Sequence, residues 1–190
     1  MEEKIERQRA WDLLCKYNKN DALRKHGLAV EGAMRHFAKL YNEDEKVWGV
    51  IGLLHDIDYE MYPEEHCIKS QEIMKNEKLP ESYIRAVASH GYNIVVDIKP
   101  ESNAEKVLYT IDELTGLISA VALMRPSKSV MDLEVSSVKK KFKSKGFAAG
   151  VDREVILNGC TMIEMELDRV IENTILGMRD VAKEIGLYSL

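Results

Sequence analysis

Two histidines and two aspartates have positions that could support chemistry. His55 and Asp56 are adjacent, at the end of the apolar run Val47–Leu54. His26 falls on an apolar stripe formed by Leu23, Val30, Ala33, Phe37 and Leu40. Asp112 lies within the aliphatic series Val107, Leu108, Ile111, Leu114, Ile118 and Val121. A carboxylate buried in such surroundings costs roughly several kcal/mol unless something neutralises it. A divalent cation is one neutraliser, and neutral imidazole is its common companion ligand. His55 and Asp56 could therefore share one ion, to which His26 and Asp112 would have to come from other helices. Mixed nitrogen and oxygen ligation suits Mn, Fe, Co, Ni or Zn better than Ca. Water in the open positions would have its pKa lowered towards neutrality.

The elements that must bring these residues together read as helices. Residues 3–17 alternate charged and apolar groups at helical spacing, with Ile5, Trp11 and Leu14 expected inside. Asn20 is a candidate N-cap for the next helix, whose stripe turns His26 inward. The helix through residues 47–54 is apolar nearly all round, so it should be central and buried. His55 and Asp56 close it, and at a helix end both can turn towards one ion. A loop follows, then a helix over 63–78 with Pro63 in its first turn. A short helix over 81–89 ends at His90, with Gly91 as a candidate C-cap. The segment 92–100 reads as an extended loop. Ser102 and Glu105 form a capping box at the start of the helix that carries Asp112 and stops before Pro126. The C-terminal part, 152–185, reads as helix with a break near 162–165, ended by Gly186. No strand pairing is evident, so the fold class is all-α.

In order and placement these residues resemble the HD superfamily of metal-dependent phosphohydrolases. Its pattern of H, then HD, then D is met by LRKHGLAV (His26), GLLHDIDYE (His55, Asp56) and YTIDELTG (Asp112), at spacings of 29 and 56 residues. The similarity spans roughly residues 20–125. The chain departs from the common HDIG form by placing Asp58 where glycine is usual. The resemblance implies a compact, single-domain helical bundle over 1–190, with the core at about 20–125 and a helical extension at about 126–190. It implies hydrolysis of a small phosphate ester, a nucleotide or related compound. Some members hold two ions with six ligands, and His66 and His90 fall in the order that this requires. The ligand set it implies is His26, His55, Asp56 and Asp112, extended by His66 and His90 if two ions bind. Asp56, Asp58, His66 and His90 are the implied catalytic group. With one ion only, Asp58 or Glu60 would be wanted as general base.

Other residues are weighed against plainer roles. Arg85, Lys140 and Lys143 are weak candidates for contact with substrate phosphate; the lysines at 139, 140, 141, 143 and 145 would more often be a solvated face. Thr115 is a candidate partner for Asp112, His36 reads as a helix-surface residue, and Cys67 as packing. The net charge of −5, from 27 basic and 32 acidic residues, argues against general nucleic-acid binding. Three widely spaced cysteines indicate neither a disulfide framework nor a thiolate zinc site, and fit a reducing cytoplasm. No signal-peptide pattern or membrane-spanning run is expected. The partner is a small phosphate compound; a homo-oligomer stays open. The competing functions are a di-iron oxygenase and a non-catalytic nucleotide-binding module.

Overall fold

Helical spacing of apolar residues produces helices throughout. In the computed structural model, which describes residues 4–189, they are α1 (Arg7–Tyr17), α2 (Asp21–Leu40), α3 (Glu45–Leu54), α4 (Ile68–Asn76), α5 (Glu81–Ser89), α6 (Asn103–Leu123), α7 (Val135–Phe142), α8 (Arg153–Met162) and α9 (Leu167–Asp180). Among the described residues there is no strand, only an isolated bridge between Tyr92 and Val96. The fold is all-α. Glu3, the first residue of the expected N-terminal helix, lies outside the described residues.

Four of the nine helix starts among the described residues are capped by a side chain. The Asn20 side chain accepts from the Ala22 N–H, and Asp44 accepts from Lys46 and Val47. Ser102 and Glu105 complete a capping box, and Asp152 caps α8. Gly186 takes the left-handed conformation (φ 74°) within the turns that follow α9.

Several expectations are corrected. The helix expected over 63–78 is split. Pro63–Glu65 form a short 3-10 turn, Cys67 is left-handed (φ 65°), and α4 begins only at Ile68. The extra turn lets His66 leave helical geometry and point back towards α3. Gly91 is not a left-handed cap. It is glycine because a Cβ there would lie 2.7 Å from both Cys67 Sγ and Val95 Cγ2. Trp11 is half-buried and Leu40 is exposed, since each lies at the edge of its helix's apolar stripe. The regular C-terminal helix stops at Asp180, with turns up to Gly186.

The core is continuous from Ile5 to Leu187 and includes residues of all nine helices, so α7–α9 share it with the first half. At its centre α2 packs on α3, α9 and α6. Two glycines set the separation of α2 and α3. A Cβ on Gly27 would lie 3.2 Å from the Leu53 carbonyl oxygen, and one on Gly52 would lie 3.0 Å from that of Val30. Gly27 adjoins His26 and Gly52 precedes His55 by one turn, so this close approach brings the two imidazoles together. No helix among the described residues is long and apolar enough to cross a membrane.

Candidate metal centre

Six side chains converge from five places along the chain. His26 comes from the first half of α2, His55 from the C-cap of α3, and Asp56 from the residue after it. His66 comes from the break before α4, His90 from the C-cap of α5, and Asp112 from the middle of α6.

They form two groups. In the first, His26 Nε2 lies 3.1 Å from His55 Nε2 and 2.9 Å from Asp112 Oδ1, and His55 Nε2 lies 3.2 Å from the same oxygen. In the second, His66 Nε2 lies 3.0 Å from His90 Nε2. Asp56 stands between them. Its Oδ2 is 3.3 Å from His55 Nε2 and 3.7 Å from His26 Nε2. Its Oδ1 is 3.4 Å from His66 Nε2 and 3.7 Å from His90 Nε2.

Hydrogen bonds at the far side of three rings fix what faces inward. His55 Nδ1 meets the carbonyl of Gly52 at 2.8 Å, and His90 Nδ1 meets that of Val87. His66 Nδ1 meets Asp58 Oδ1 at 2.8 Å. Each acceptor requires a hydrogen on Nδ1, which leaves Nε2 as a lone pair in the neutral ring. His66 and His90 thus direct two lone pairs at one another across 3.0 Å, beside a carboxylate. Only a cation or protons can satisfy that arrangement. Ligand atoms around a first-row divalent ion, at bonds of about 2.1 Å, sit about 3 Å apart, which matches the spacing in both groups. The donor set therefore fits a divalent metal.

The electrostatics agree. Burial opposes charge on His55, but Asp56 and Asp112 outweigh it and raise the imidazole well above its ordinary value. Burial likewise opposes ionisation of Asp56 and Asp112, yet His55 holds both below the usual carboxylate range. His66 is raised, against its burial, by Asp58 and Asp56. His90 is pushed down to about 4, chiefly by burial, and is neutral at ordinary pH. Protons on His55 and His66 do in the bare protein what a cation does better.

Asp58, a candidate base, is fully buried behind His66 and does not line the cleft that opens onto the cluster. Its Oδ2 accepts from the Ser70 N–H at 2.8 Å, so both carboxylate oxygens are engaged. Glu60, the other candidate, accepts from the N–H groups of Lys19 and Asn20 and anchors the loop to the start of α2. Thr115 donates to the main-chain carbonyl of Asp112 rather than to its carboxylate. Arg85 is drawn away to Glu101, Glu105 and the Lys99 carbonyl. Neither it nor Lys140 or Lys143, both exposed at α7, lines the cleft. His36 is half-buried and bonded to Asn173 of α9 rather than free on the surface. Cys67 does more than pack: its Sγ lies 3.6 Å from His90 Nε2 and is a potential third ligand of the second group. Burial and the nearby aspartates push its thiol up, so it stays protonated in the bare protein.

The cleft has a volume of about 440 Å³ and includes His26, Asp56, His66, His90 and Asp112 in its lining. Tyr59, Tyr109, Glu113 and Gly116 also line it; they lie within the segments GLLHDIDYE and YTIDELTG, but nothing in the sequence assigns them a role. Glu113 and Gly116 could have been suspected only from following Asp112 on one helix. Burial, helped by Asp112, raises the Glu113 carboxyl to about 7.

A family model described as the HD domain matches residues 23–117, a span that contains all six converging side chains. No solved structure matches the chain.

Proposed function

Because the chain belongs to the HD domain family, whose members are generally metal-dependent phosphohydrolases, we propose that it hydrolyses a small phosphate ester, a nucleotide or related compound, at two divalent cations. The observation that carries this reading is an imidazole pair on either side of one carboxylate, with the His66 and His90 lone pairs directed at one another. His26, His55 and Asp112 would hold one ion, His66 and His90 the other, and Asp56 would serve both. Bound cations supply Lewis acidity, offsetting phosphoryl charge and lowering the pKa of water.

The chain's own residues do the rest. The main-chain carbonyls of Gly52 and Val87 hold His55 and His90 in the ligating tautomer. Asp58 does the same for His66 through a charged hydrogen bond, and acts as a positioning residue rather than a base. Placing this carboxylate where related sequences usually have glycine strengthens one ligand of the second group. The opening over His26 and Asp112 admits the phosphate head, while His55 stays wholly buried beneath it.

The test is release of inorganic phosphate from a panel of esters. Chelation should abolish it, and Mn, Co or Ni should restore it. Metal-loaded protein inert towards the whole panel would refute the reading. The same six ligands beside an apolar cleft also suit a di-iron oxygenase. Two bound irons with oxygen-dependent turnover would favour that alternative.

A further inference from the structure

The cleft walls carry information about the substrate beyond its phosphate. Tyr59, Ile94 and Val95 are large hydrophobic side chains left exposed, and all three line this cleft. Clustered exposed apolar groups beside a polar centre mark a ligand surface. Tyr109, from α6, continues the apolar lining inside. Outside the ligand cluster the described lining of the cleft holds no cationic side chain. Its described lining residues include Asp56, Asp112 and Glu113 and no lysine or arginine. A polyphosphate chain would run past Glu113 with no cationic side chain to meet it, which is unfavourable. A single phosphate head needs only the ligand cluster.

Gly116 is the second observation. It lies one helical turn after Asp112 on the same face of α6, and it also lines the cleft. Its φ is not positive, and a Cβ there would meet nothing within 4 Å. Neither backbone conformation nor packing requires glycine, and glycine inside a helix is less stable than alanine. The missing side chain leaves space beside Asp112.

We propose that the substrate is a phosphomonoester of a compact apolar alcohol or phenol, and that Gly116 sets the size of the body accepted. This rests on the phosphohydrolase reading and narrows it, from a nucleotide or related compound to an ester with an uncharged, apolar body. The uncharged body lies against Tyr59, Ile94, Val95 and Tyr109 while the phosphate faces the cluster. Water forms the new P–O bond as the ester P–O bond breaks. The alcohol oxygen leaves with a proton, giving one alcohol and one inorganic phosphate.

The experiment uses the full chain loaded with manganese. The kcat/KM for 1-naphthyl phosphate should exceed that for glycerol phosphate and for ATP by about tenfold or more. Gly116→Leu should lower the ratio of naphthyl to methyl phosphate turnover about tenfold, and weaken calorimetric binding of 1-naphthylphosphonate to a similar degree. Its metal content should equal that of the unmutated protein. Gly116→Ala should melt at the same temperature or higher, which separates loss of space from loss of fold. Metal-dependent hydrolysis that prefers glycerol phosphate or ATP would overturn the apolar body and leave the phosphohydrolase reading standing. A Gly116→Leu ratio equal to that of the unmutated protein would overturn the role of Gly116. Naphthylphosphonate binding that Gly116→Leu abolishes, without hydrolysis of any ester, would uphold the cleft's ligand class and overturn the hydrolase reading.

Discussion

Substituting Asp58 by asparagine should separate the two ion sites. The carboxylate accepts from His66 Nδ1 and from the Ser70 N–H, each at 2.8 Å, and is fully buried. An asparagine keeps one acceptor and sets an NH2 group against the other donor. If that donor is His66, the ring must move or shift its hydrogen to Nε2, and either change removes the inward lone pair. Loss of such a partner of a ligating histidine typically weakens metal binding 10–100-fold, about 1.4–2.7 kcal/mol. The lost charged hydrogen bond should also destabilise the metal-free fold by about 1.5–3 kcal/mol. Calorimetric titration of chelator-stripped protein with Mn should then show one binding event weakened and the other, at His26, His55 and Asp112, unchanged. Asp58 faces away from the cleft, so a normal pair of binding events in Asp58→Asn would refute the positioning role. Equal weakening of both would show that the carboxylate supports the fold as a whole rather than His66.

Gly52→Ala places a Cβ 3.0 Å from the Val30 carbonyl oxygen and should cost about 1–3 kcal/mol, seen as a lower melting temperature and weaker binding of the first ion. Metal uptake should release protons, because His55 and His66 carry raised pKa values in the bare protein and must ligate as neutral rings; titration in buffers of different ionisation enthalpy reads this. In chelated protein, His90 takes up a proton at about pH 4 when folded but near 6.5 when unfolded. The unfolded chain therefore binds more protons at His90 in that window, and this group alone should lower stability by up to about 3 kcal/mol from pH 6.5 to 4. Glu113, raised to about 7, acts in the opposite sense between about pH 7 and 4.5, and the raised His55 and His66 do so above that range, so thermal melts should show the unmutated protein losing more stability on acidification than a His90→Gln variant. Ser102→Ala removes half of the capping box and should cost about 1 kcal/mol with metal content unchanged.

The helices were legible because apolar spacing and caps act locally: Asn20, Ser102 and Glu105 do in the fold what their types predict. Asp112 stood out because a lone carboxylate among aliphatics needs a reason. The misreadings share a cause, since each depends on a contact between distant segments. The break at Cys67 follows from where His66 has to point, and Pro63 alone suggested a longer helix. Gly91 looked like a cap, but it is small because Cys67 and Val95 crowd it. Asp58 and Glu60 have the residue type a general base needs, but His66 and Ser70 occupy the one and Lys19 and Asn20 the other. Arg85 and the α7 lysines have the right charge for phosphate, but sequence does not say which acid or which solvent face claims them. Glu113 and Gly116 carry no signal beyond proximity to Asp112.

The most direct test is metal stoichiometry by elemental analysis, with anomalous scattering to locate the ions, on protein purified without chelator. The account predicts two ions per chain, one beside His26, His55 and Asp112 and one beside His66 and His90, with both lost in a folded Asp56→Ala variant. Folded protein that takes up no ion when supplied with metal, or an Asp56→Ala variant that keeps both, would contradict it.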